Sequence, residues 1–297
     1  MDNPLTIKDL NTENPRWCAG CGDFGIVMGV KRFMVDEQLD PTNTVNVSGI
    51  GCSGRAPFYF NTYGIHSIHG RAIPVAMGLA LGRPDLNIFI HSGDGDALSI
   101  GGNHLIHGIN KNFNCVFLMY DNEIYALTKN QTSPTTPKGH KTNTQPFGSY
   151  LEPIFPLKFA LGAGVSFAAS TADWMPDHLT NTLKAAFAHK GFSFIHVAQR
   201  CPHFYATNYD SKTTDWFSFL THEDGIPADK RLKDKTEVLE HDPKNKDNAF
   251  HYAQDGKHYF GLFYRETNRP QYDEILHNQV KEAKSESRLA ILDRFKI

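Results

Sequence analysis

Short apolar runs alternate with amphipathic stretches through the first two thirds of the chain. The apolar runs are rich in β-branched and aromatic residues and predict strands at residues 44–47, 87–91, 115–120, 165–168 and 192–197. The stretches between them have helical spacing and predict helices at residues 24–38, 73–81, 99–109 and 177–189. Nearly continuous apolar strands separated by helices are typical of a parallel sheet covered on both faces. We therefore predict a doubly wound, mostly parallel α/β fold.

The last third of the chain has a different composition. Residues 205–297 carry 17 acidic and 15 basic side chains, whereas the much longer segment 1–204 carries 15 of each. We predict one domain at residues 1–204 and a charged C-terminal extension at residues 205–297. Because its loops hold too few apolar residues to fold alone, the extension is expected to pack on the core or on a partner chain. It has one predicted helix, at residues 271–292.

The overall composition excludes several classes of function. The chain has 297 residues, 40% of them hydrophobic, and a formal net charge of −2, which gives no electrostatic basis for binding nucleic acid or an anionic membrane. The first residues show no secretory signal pattern, and the longest near-apolar stretch, residues 73–82, is too short to cross a bilayer. Five cysteines are too few for a disulfide framework. These features predict a cytoplasmic protein.

Two polar motifs follow predicted strands. Gly93, Asp94 and Gly95 come after the strand at 87–91, and Asn122 follows the strand at 115–120. Glycines allow the backbone to approach a diphosphate, and carboxylate and amide oxygens are the ligands that Mg²⁺ prefers. A Gly-Asp-Gly sequence alone is usually only a turn. Because parallel sheets bind ligands at the carboxyl ends of their strands, the position of both motifs favours a diphosphate and magnesium site.

The cysteines form a second pattern. Cys18 and Cys21 make a C-x-x-C pair, Cys52 lies in a glycine-rich turn, and Cys201 precedes a proline. Cys115 opens an apolar strand, where a cysteine is expected to be a small buried hydrophobic residue. The C-x-x-C pair alone is compatible with zinc, a redox dithiol or an iron–sulfur cluster. The four cysteines other than Cys115 supply the number of thiolates that one 4Fe–4S cluster needs.

Six motifs follow one another along the chain: Cys18-x-x-Cys21-Gly, Gly49-Ile-Gly-Cys52-Ser-Gly, His69-Gly-Arg71, Gly93-Asp-Gly-Asp96, Gly101-Gly-Asn-His104-x-x-His107 and Leu127-Thr-Lys-Asn-Gln-Thr-Ser-Pro-Thr-Thr136. Together, in this order, they resemble the β subunit of 2-oxoacid:ferredoxin oxidoreductases. The resemblance covers residues 16–203 and does not extend clearly into the charged extension. Two positions depart from the family pattern, since Ala19 replaces a frequent proline and Asn130 a frequent glycine.

The resemblance implies three cofactors: thiamine diphosphate, Mg²⁺ and one 4Fe–4S cluster. It implies that Cys18, Cys21, Cys52 and Cys201 bind the cluster. It also implies that the magnesium ligands are Asp94, Asn122 and the carbonyl of Ile124. The residues expected to line thiamine diphosphate are Ile50, Gly51, Cys52, Ser53, His69, Gly93, Gly95, Asp96, Tyr125, Ala126 and Leu127.

The resemblance further implies a reaction and its partners. A 2-oxoacid is decarboxylated to an acyl-CoA, and the electrons pass through the cluster to ferredoxin. Arg55 and Leu127 are expected in the substrate pocket, where a guanidinium would pair with the distal carboxylate of 2-oxoglutarate. The thiamine-activating glutamate is expected from a partner α subunit, so the chain is predicted to be inactive alone. Two αβ units are expected to pair as (αβ)2.

Three alternatives remain open. The same chemistry suits pyruvate or a branched 2-oxoacid. A non-redox thiamine decarboxylase or synthase would use the cysteines for structural zinc. An electron-transfer subunit would bind a cluster without carbon chemistry. A brown, anaerobically purified protein that is reduced by 2-oxoacid and coenzyme A distinguishes the redox decarboxylase from the last two.

Overall fold

The computed structural model describes residues 4–254 and 256–285. Its strands form one large sheet and a small hairpin, β5 with β6. The strands are β1 (Thr44–Ser48), β2 (Tyr63–His66), β3 (Asn87–Gly93), β4 (Cys115–Asp121), β5 (Ile124–Tyr125), β6 (Gln131–Thr132), β7 (Phe167–Ala172), β8 (Phe192–Ala198), β9 (Phe217–Thr221), β10 (Glu237–Glu240) and β11 (His258–Arg265). The large sheet has nine strands in the order β10-β9-β11-β7-β8-β4-β3-β1-β2.

Helices cover both faces of this sheet. Alternate residues of β3 and β4 face opposite hydrophobic clusters, so Phe89 packs on one face and Ile90 on the other. The first face is covered by α1 and α5, and the second by α2, α3, α4 and α6. The helices are α1 (Asp23–Asp36), α2 (Ala72–Gly82), α3 (Gly102–Lys111), α4 (Pro156–Gly162), α5 (Pro176–Ala188), α6 (Lys246–Tyr252) and α7 (Tyr272–Ser285).

The strands from β2 to β7 in the sheet order are all parallel. The predicted doubly wound, mostly parallel α/β fold is therefore confirmed. The predicted strand at 165–168 begins two residues later, at Phe167, because the N–H of Val165 donates to the carbonyl of Ala160 and closes α4. Cys115 is buried in the core, as expected for a small hydrophobic residue.

The C-terminal extension adds strands to the same sheet. β11 pairs antiparallel with β7, and β9 and β10 continue the sheet beyond it. The extension was expected to pack on the core or on a partner chain, and in the structure it continues the core sheet itself. The average charge of residues 205–297 hid two aromatic strands, Phe217–Thr221 and His258–Arg265, whose composition favours a sheet. The predicted helix at 271–292 is present as α7 up to Ser285, and the rest of it lies outside the described residues.

The helix predicted at 99–109 is interrupted. A π-helical turn covers Asp96–Ile100, Ser99 has a non-helical ψ of −105°, and α3 begins only at Gly102. The break brings Gly101 against Gly70. A Cβ added to Gly70 would stand 2.6 Å from the backbone nitrogen of Gly101. Gly70 also has φ +70°, a conformation that favours glycine. This close approach places residues 69–70 beside the turn that carries Asp96.

Among the described residues, no helix combines the length and the apolar content that crossing a bilayer requires.

Candidate active site

Loops at the carboxyl ends of the parallel strands form two adjoining cavities. The first, of about 210 Å³, contains the carboxylates of Asp94 and Asp96, and we name it the carboxylate cavity. The second, of about 140 Å³, is lined by Cys18, Cys21, Cys52 and Cys201 and is named the thiol cavity. Five residues line both cavities and form the wall they share: Cys52, Asn122, Ala126, Leu127 and Gln199.

The carboxylate cavity brings together all residues that were predicted to line thiamine diphosphate or to hold magnesium. They come from four segments that are far apart in sequence, at 50–53, 69, 93–96 and 122–127. The structure shows that they line one space, while their individual roles stay predictions. Gly95 permits this arrangement, because a Cβ there would stand 2.2 Å from the ring of Tyr125.

Asp96 organises the loops around this cavity. Its Oδ1 accepts hydrogen bonds from His69 Nδ1 at 2.6 Å and from the backbone N–H groups of Gly70 at 2.7 Å and Ile50 at 3.0 Å. Its Oδ2 accepts from Ser92 Oγ at 2.5 Å. The hydrogen bond to Asp96 raises the pKa of His69. One buried carboxylate thus joins three loops and favours a positive charge on His69.

Asp94 lies beside a second buried carboxylate. The hydroxyl of Thr135 is 2.8 Å from Asp94 Oδ2 and 2.8 Å from Asp121 Oδ1. Burial and the neighbouring Asp121 raise the pKa of Asp94 to about 8. Asp121 also lies 3.0 Å from His196 Nε2, whereas the donors to Asp94 are neutral hydroxyl and backbone groups, so Asp94 keeps the less compensated charge of the two when both are ionised. A divalent cation with oxygen ligands fits this group.

Asn122 and Ile124 complete the predicted magnesium ligands. Asn122 Oδ1 accepts from the N–H of Ile124 at 3.1 Å, and its Nδ2 donates to Gln199 Oε1 at 2.9 Å. Glu123 between them has φ +62°, which turns the chain from β4 into the hairpin of β5 and β6. The side-chain oxygen of Asn122 accepts one hydrogen bond within the loop, and its second lone pair is the one that a cation would use.

The thiol cavity collects the four predicted cluster cysteines. Burial raises the pKa of the Cys52 thiol to about 12 and raises the pKa values of Cys21 and Cys201. These thiols therefore stay protonated until a metal displaces the proton. In the described part of the chain, no three His, Cys, Asp or Glu side chains converge as they would around a single ion. A cubane cluster holds its four thiolates farther apart than one tetrahedral ion does, and four soft thiolates are the ligands it requires.

Arg55 lines the thiol cavity and is absent from the carboxylate cavity. Its Nη1 donates to the carbonyl of Arg16 at 3.0 Å. Leu127, the other predicted substrate residue, belongs to the shared wall and is 41% exposed. Both predicted substrate residues thus line the thiol cavity, and only Leu127 also lines the carboxylate cavity. Contact with substrate stays a prediction for both.

Three residues of this region were not predicted. Trp17 Nε1 donates to the carbonyl of Cys52 at 2.9 Å, which holds the N-terminal segment on the glycine-rich turn. Thr135 connects two carboxylates, and Gln199 connects Asn122 to the thiol of Cys21. Trp17 and Gln199 are near predicted cysteines in sequence, and Thr135 belongs to the last of the six motifs. Their partners, however, become neighbours only in the folded chain.

The fold and the carboxylate cavity define a class, the thiamine-diphosphate-binding domains. Residues 49–197 match the family described as thiamine pyrophosphate enzyme, C-terminal TPP binding domain. Residues 229–281 match a second family, the C-terminal part of the pyruvate ferredoxin oxidoreductase beta subunit. The second match corrects the expectation that the resemblance ends before the charged extension. The matched segment includes the aromatic strand β11, which the average charge of the extension had concealed.

Several known proteins are similar over most of the chain. The 2-oxoacid:ferredoxin oxidoreductase subunit beta of Sulfolobus sp is 36% identical over 262 residues, 87% of this chain and 84% of that one. The 2-oxoglutarate synthase subunit KorB of Methanocaldococcus jannaschii is 36% identical over 272 residues, 91% and 94% of the two chains. The chain belongs to the family of 2-oxoacid:ferredoxin oxidoreductase β subunits.

Two further proteins that resemble this chain support the same family. The 2-oxoglutarate oxidoreductase subunit KorB of Mycobacterium tuberculosis is 46% identical over 211 residues, which are 71% of this chain and 57% of that relative. A solved 2-oxoglutarate:ferredoxin oxidoreductase from Magnetococcus marinus, with 2-oxoglutarate, coenzyme A and succinyl-CoA bound, is 33% identical with a TM-score of 0.84. That match covers 99% of this chain and 97% of the other.

Proposed function

We propose that this chain is the β subunit of an enzyme that oxidatively decarboxylates a 2-oxoacid, with 2-oxoglutarate favoured. The products are the acyl-CoA and CO2, and two electrons pass singly to ferredoxin. The observation that carries this proposal is the shared wall, because Cys52 and Leu127 line both the carboxylate and the thiol cavity. A carbon centre and a one-electron acceptor would therefore be direct neighbours.

The proposed cofactors are assigned to the two cavities. Magnesium would be held by Asp94, Asn122 and the carbonyl of Ile124, and the cluster by the four cysteines of the thiol cavity. Thiamine diphosphate, when bound, supplies the electron sink for the loss of CO2. The chain's own part is to hold the three loops through Asp96 and to present a cationic His69 near the diphosphate. The buried side chains of Ile124 and Ala126 would keep water from the carboxylate cavity.

A partner α subunit is the proposed source of the thiamine-activating glutamate. Among the described residues, those that line the carboxylate cavity include no glutamate. Large apolar side chains surround this edge of the sheet in an exposed state, with Ile68 76% and Ile100 53% exposed. An apolar surface of this kind is expected under a partner chain. We accordingly propose activity only in the αβ complex, pairing of two such units as (αβ)2, ferredoxin as acceptor and a cytoplasmic location.

The substrate preference rests on Arg55. Arg55 lines the thiol cavity, and its backbone N–H donates to the carbonyl of Cys52 in the shared wall at 3.2 Å. A guanidinium beside that wall suits a substrate with a distal carboxylate. The names of several relatives include 2-oxoglutarate, which supports the same choice. Pyruvate and branched 2-oxoacids lack that second carboxylate.

The test is a viologen-reduction assay of the co-expressed, anaerobically purified αβ complex with 2-oxoglutarate and pyruvate. Arg55→Leu is expected to lower kcat/KM for 2-oxoglutarate by about tenfold or more relative to pyruvate, because a charged hydrogen bond is lost. Arg55→Lys, the matched control, keeps the charge and should recover part of the preference. Equal losses on both substrates would refute the assignment of 2-oxoglutarate, and a colourless zinc protein would refute the redox function.

A further inference from the structure

Gln199 occupies a position between the two cavities that neither the cofactor motif nor the cysteine motif includes. It directly follows β8, is 1% exposed, and belongs to the shared wall. Its backbone N–H donates to the carbonyl of Asp121 at 2.9 Å, which continues the pairing of β8 with β4. The side chain is therefore fixed at its base by the sheet.

The hydrogen bonds determine how the amide is oriented. The N–H of Ile124 donates to Asn122 Oδ1 at 3.1 Å, so the Asn122 amide must turn its NH2 group toward Gln199. Gln199 Oε1 accepts from that group at 2.9 Å, which directs its own NH2 group to the other side.

The NH2 group of Gln199 then reaches the cluster side of the wall. Its Nε2 lies 3.4 Å from Cys21 Sγ and 3.4 Å from the carbonyl oxygen of Arg200. The reverse orientation would face the amide nitrogens of Asn122 and Gln199 toward each other. It would also face Oε1 toward a carbonyl oxygen, so the geometry allows one orientation only.

We propose that Gln199 is a positioning residue that couples the two sites, orienting Asn122 toward magnesium and donating an N–H hydrogen bond to the Cys21 thiolate of the cluster. This inference rests on the proposed function, since it requires a cluster on the four cysteines. Hydrogen bonds to cluster sulfurs help set the reduction potential, because an N–H donor stabilises the more negative, reduced form. Gln199 thus raises the potential of the acceptor that stands beside the thiamine site.

The surroundings of Gln199 support a fixed role. A Cβ on Gly22 would stand 2.9 Å from Gln199 Cγ, so a glycine is needed where the two segments meet. The next residue, Arg200, is held by Asp173 through Nη2 at 2.7 Å and Nε at 3.0 Å. The side chain therefore has little freedom to leave the wall.

The experiment compares Gln199→Met and Gln199→Glu in the co-expressed αβ complex. Methionine keeps the length without a donor, and glutamate replaces the donor by an acceptor. The midpoint potential of the cluster is measured by EPR-monitored redox titration, together with the iron and sulfide content. Gln199→Met is expected to shift the oxidised-to-reduced equilibrium about tenfold toward the oxidised form, ~59 mV for one electron, and Gln199→Glu further in the same direction.

A second measurement tests the hydrogen bond between Gln199 and Asn122. The affinity for thiamine diphosphate at limiting Mg²⁺ should fall about tenfold in Gln199→Met, since Asn122 loses the partner that orients it. Gln145→Met is the control, because this half-buried glutamine lines neither cavity, and both quantities should stay at their wild-type values.

The outcomes separate the inference from the proposed function. A wild-type complex without iron and sulfide refutes both. A cluster of normal iron content whose potential does not move in Gln199→Met, or moves equally in Gln145→Met, refutes the inference and leaves the proposed function intact. If Gln199→Met loses its iron, the potential of Gln199→Glu decides, and an unchanged value refutes the inference.

Discussion

The two cavities share a wall but are built differently. In the carboxylate cavity the protein itself supplies the partners, since four donors surround Asp96 and Thr135 bridges Asp94 and Asp121. In the thiol cavity burial raises the pKa values of three cysteines. The first cavity is thus organised by hydrogen bonds within the chain, and the second gains its ionised form only with a metal.

This difference predicts that the sites fail in different ways. Substitutions in the carboxylate cavity should change folding stability as well as cofactor affinity, because buried hydrogen bonds are lost or gained. Substitutions of the cysteines should remove the metal and leave the fold and the neighbouring cavity in place. Four substitutions separate the two behaviours, and the largest effect is expected at Cys52.

Cys52→Ser should abolish the cluster while the carboxylate cavity keeps its ligand. A hydroxyl replaces one of the four thiolates, so iron should fall to background and viologen reduction should cease. Affinity for thiamine diphosphate, measured by calorimetry, should stay within about threefold of wild type, because serine nearly keeps the size of the Cys52 side chain in the shared wall. Cys115→Ser, in the buried strand β4, is the control and should keep full iron content. Normal iron in Cys52→Ser would contradict the assignment.

Asp94→Asn should weaken the binding of thiamine diphosphate and at the same time stabilise the metal-free fold. The amide keeps the shape and removes a charge from a buried carboxylate pair, so magnesium-dependent affinity for thiamine diphosphate should fall about 100-fold. The metal-free variant should melt higher than the metal-free wild type at pH 8 and above. The folded pKa of Asp94 is raised to about 8, so the metal-free fold loses stability as pH rises from the ordinary aspartate pKa to about 8, and the loss is complete above that value. A lower melting temperature would show that the ionised pair is not unfavourable.

Asp96→Ala should destabilise the fold itself. It leaves two backbone N–H groups and the Ser92 hydroxyl without their acceptor, with an expected loss of about 3 kcal/mol in the free energy of unfolding. Urea denaturation measures this change. Asp85→Ala, which removes an exposed partner of Arg83, should leave the free energy of unfolding nearly unchanged. Equal effects of the two substitutions would contradict the role given to Asp96.

His69 should produce the smallest effect, a pH dependence of diphosphate binding. Its pKa is raised by the hydrogen bond to Asp96, so its charge is complete below the ordinary histidine pKa and is lost as pH rises through the raised value. Affinity for thiamine diphosphate should weaken by about fivefold or less across that rise, since His69 is partly exposed. His69→Gln should remove this dependence, and a variant that retains the wild-type pH profile would exclude His69 as its source.

Local patterns along the chain were enough to predict the edge of the sheet where the site lies. The nearly continuous apolar runs at 87–91 and 115–120 are typical of strands in a parallel sheet. The sequence alone could therefore place Asp94 and Asn122, which follow these strands, at one edge of a sheet. The cysteines were grouped by number and by the resemblance. The placement of Asp94 and Asn122 and the grouping of the cysteines both depended on sequence motifs and their order along the chain, which are visible without a structure.

Side-chain pairings across non-sequential strands could not be predicted in this way. β4 and β8 are neighbours in the sheet although about 70 residues separate them, so the bond between Asn122 and Gln199 is a product of topology. Thr135 meets Asp94 from a loop 41 positions away. The strands of the extension were missed for another reason, because average charge outweighed the local aromatic pattern of β11.

We propose that the carboxylate and thiol cavities are the donor and acceptor sides of one reaction. The most direct measurement is freeze-quench EPR of the anaerobically purified αβ complex after mixing with 2-oxoglutarate and coenzyme A, without ferredoxin. We predict a reduced-cluster signal that requires the 2-oxoacid and disappears in Cys52→Ser. An unchanged cluster signal while CO2 is released, or a complex without iron, would contradict this claim.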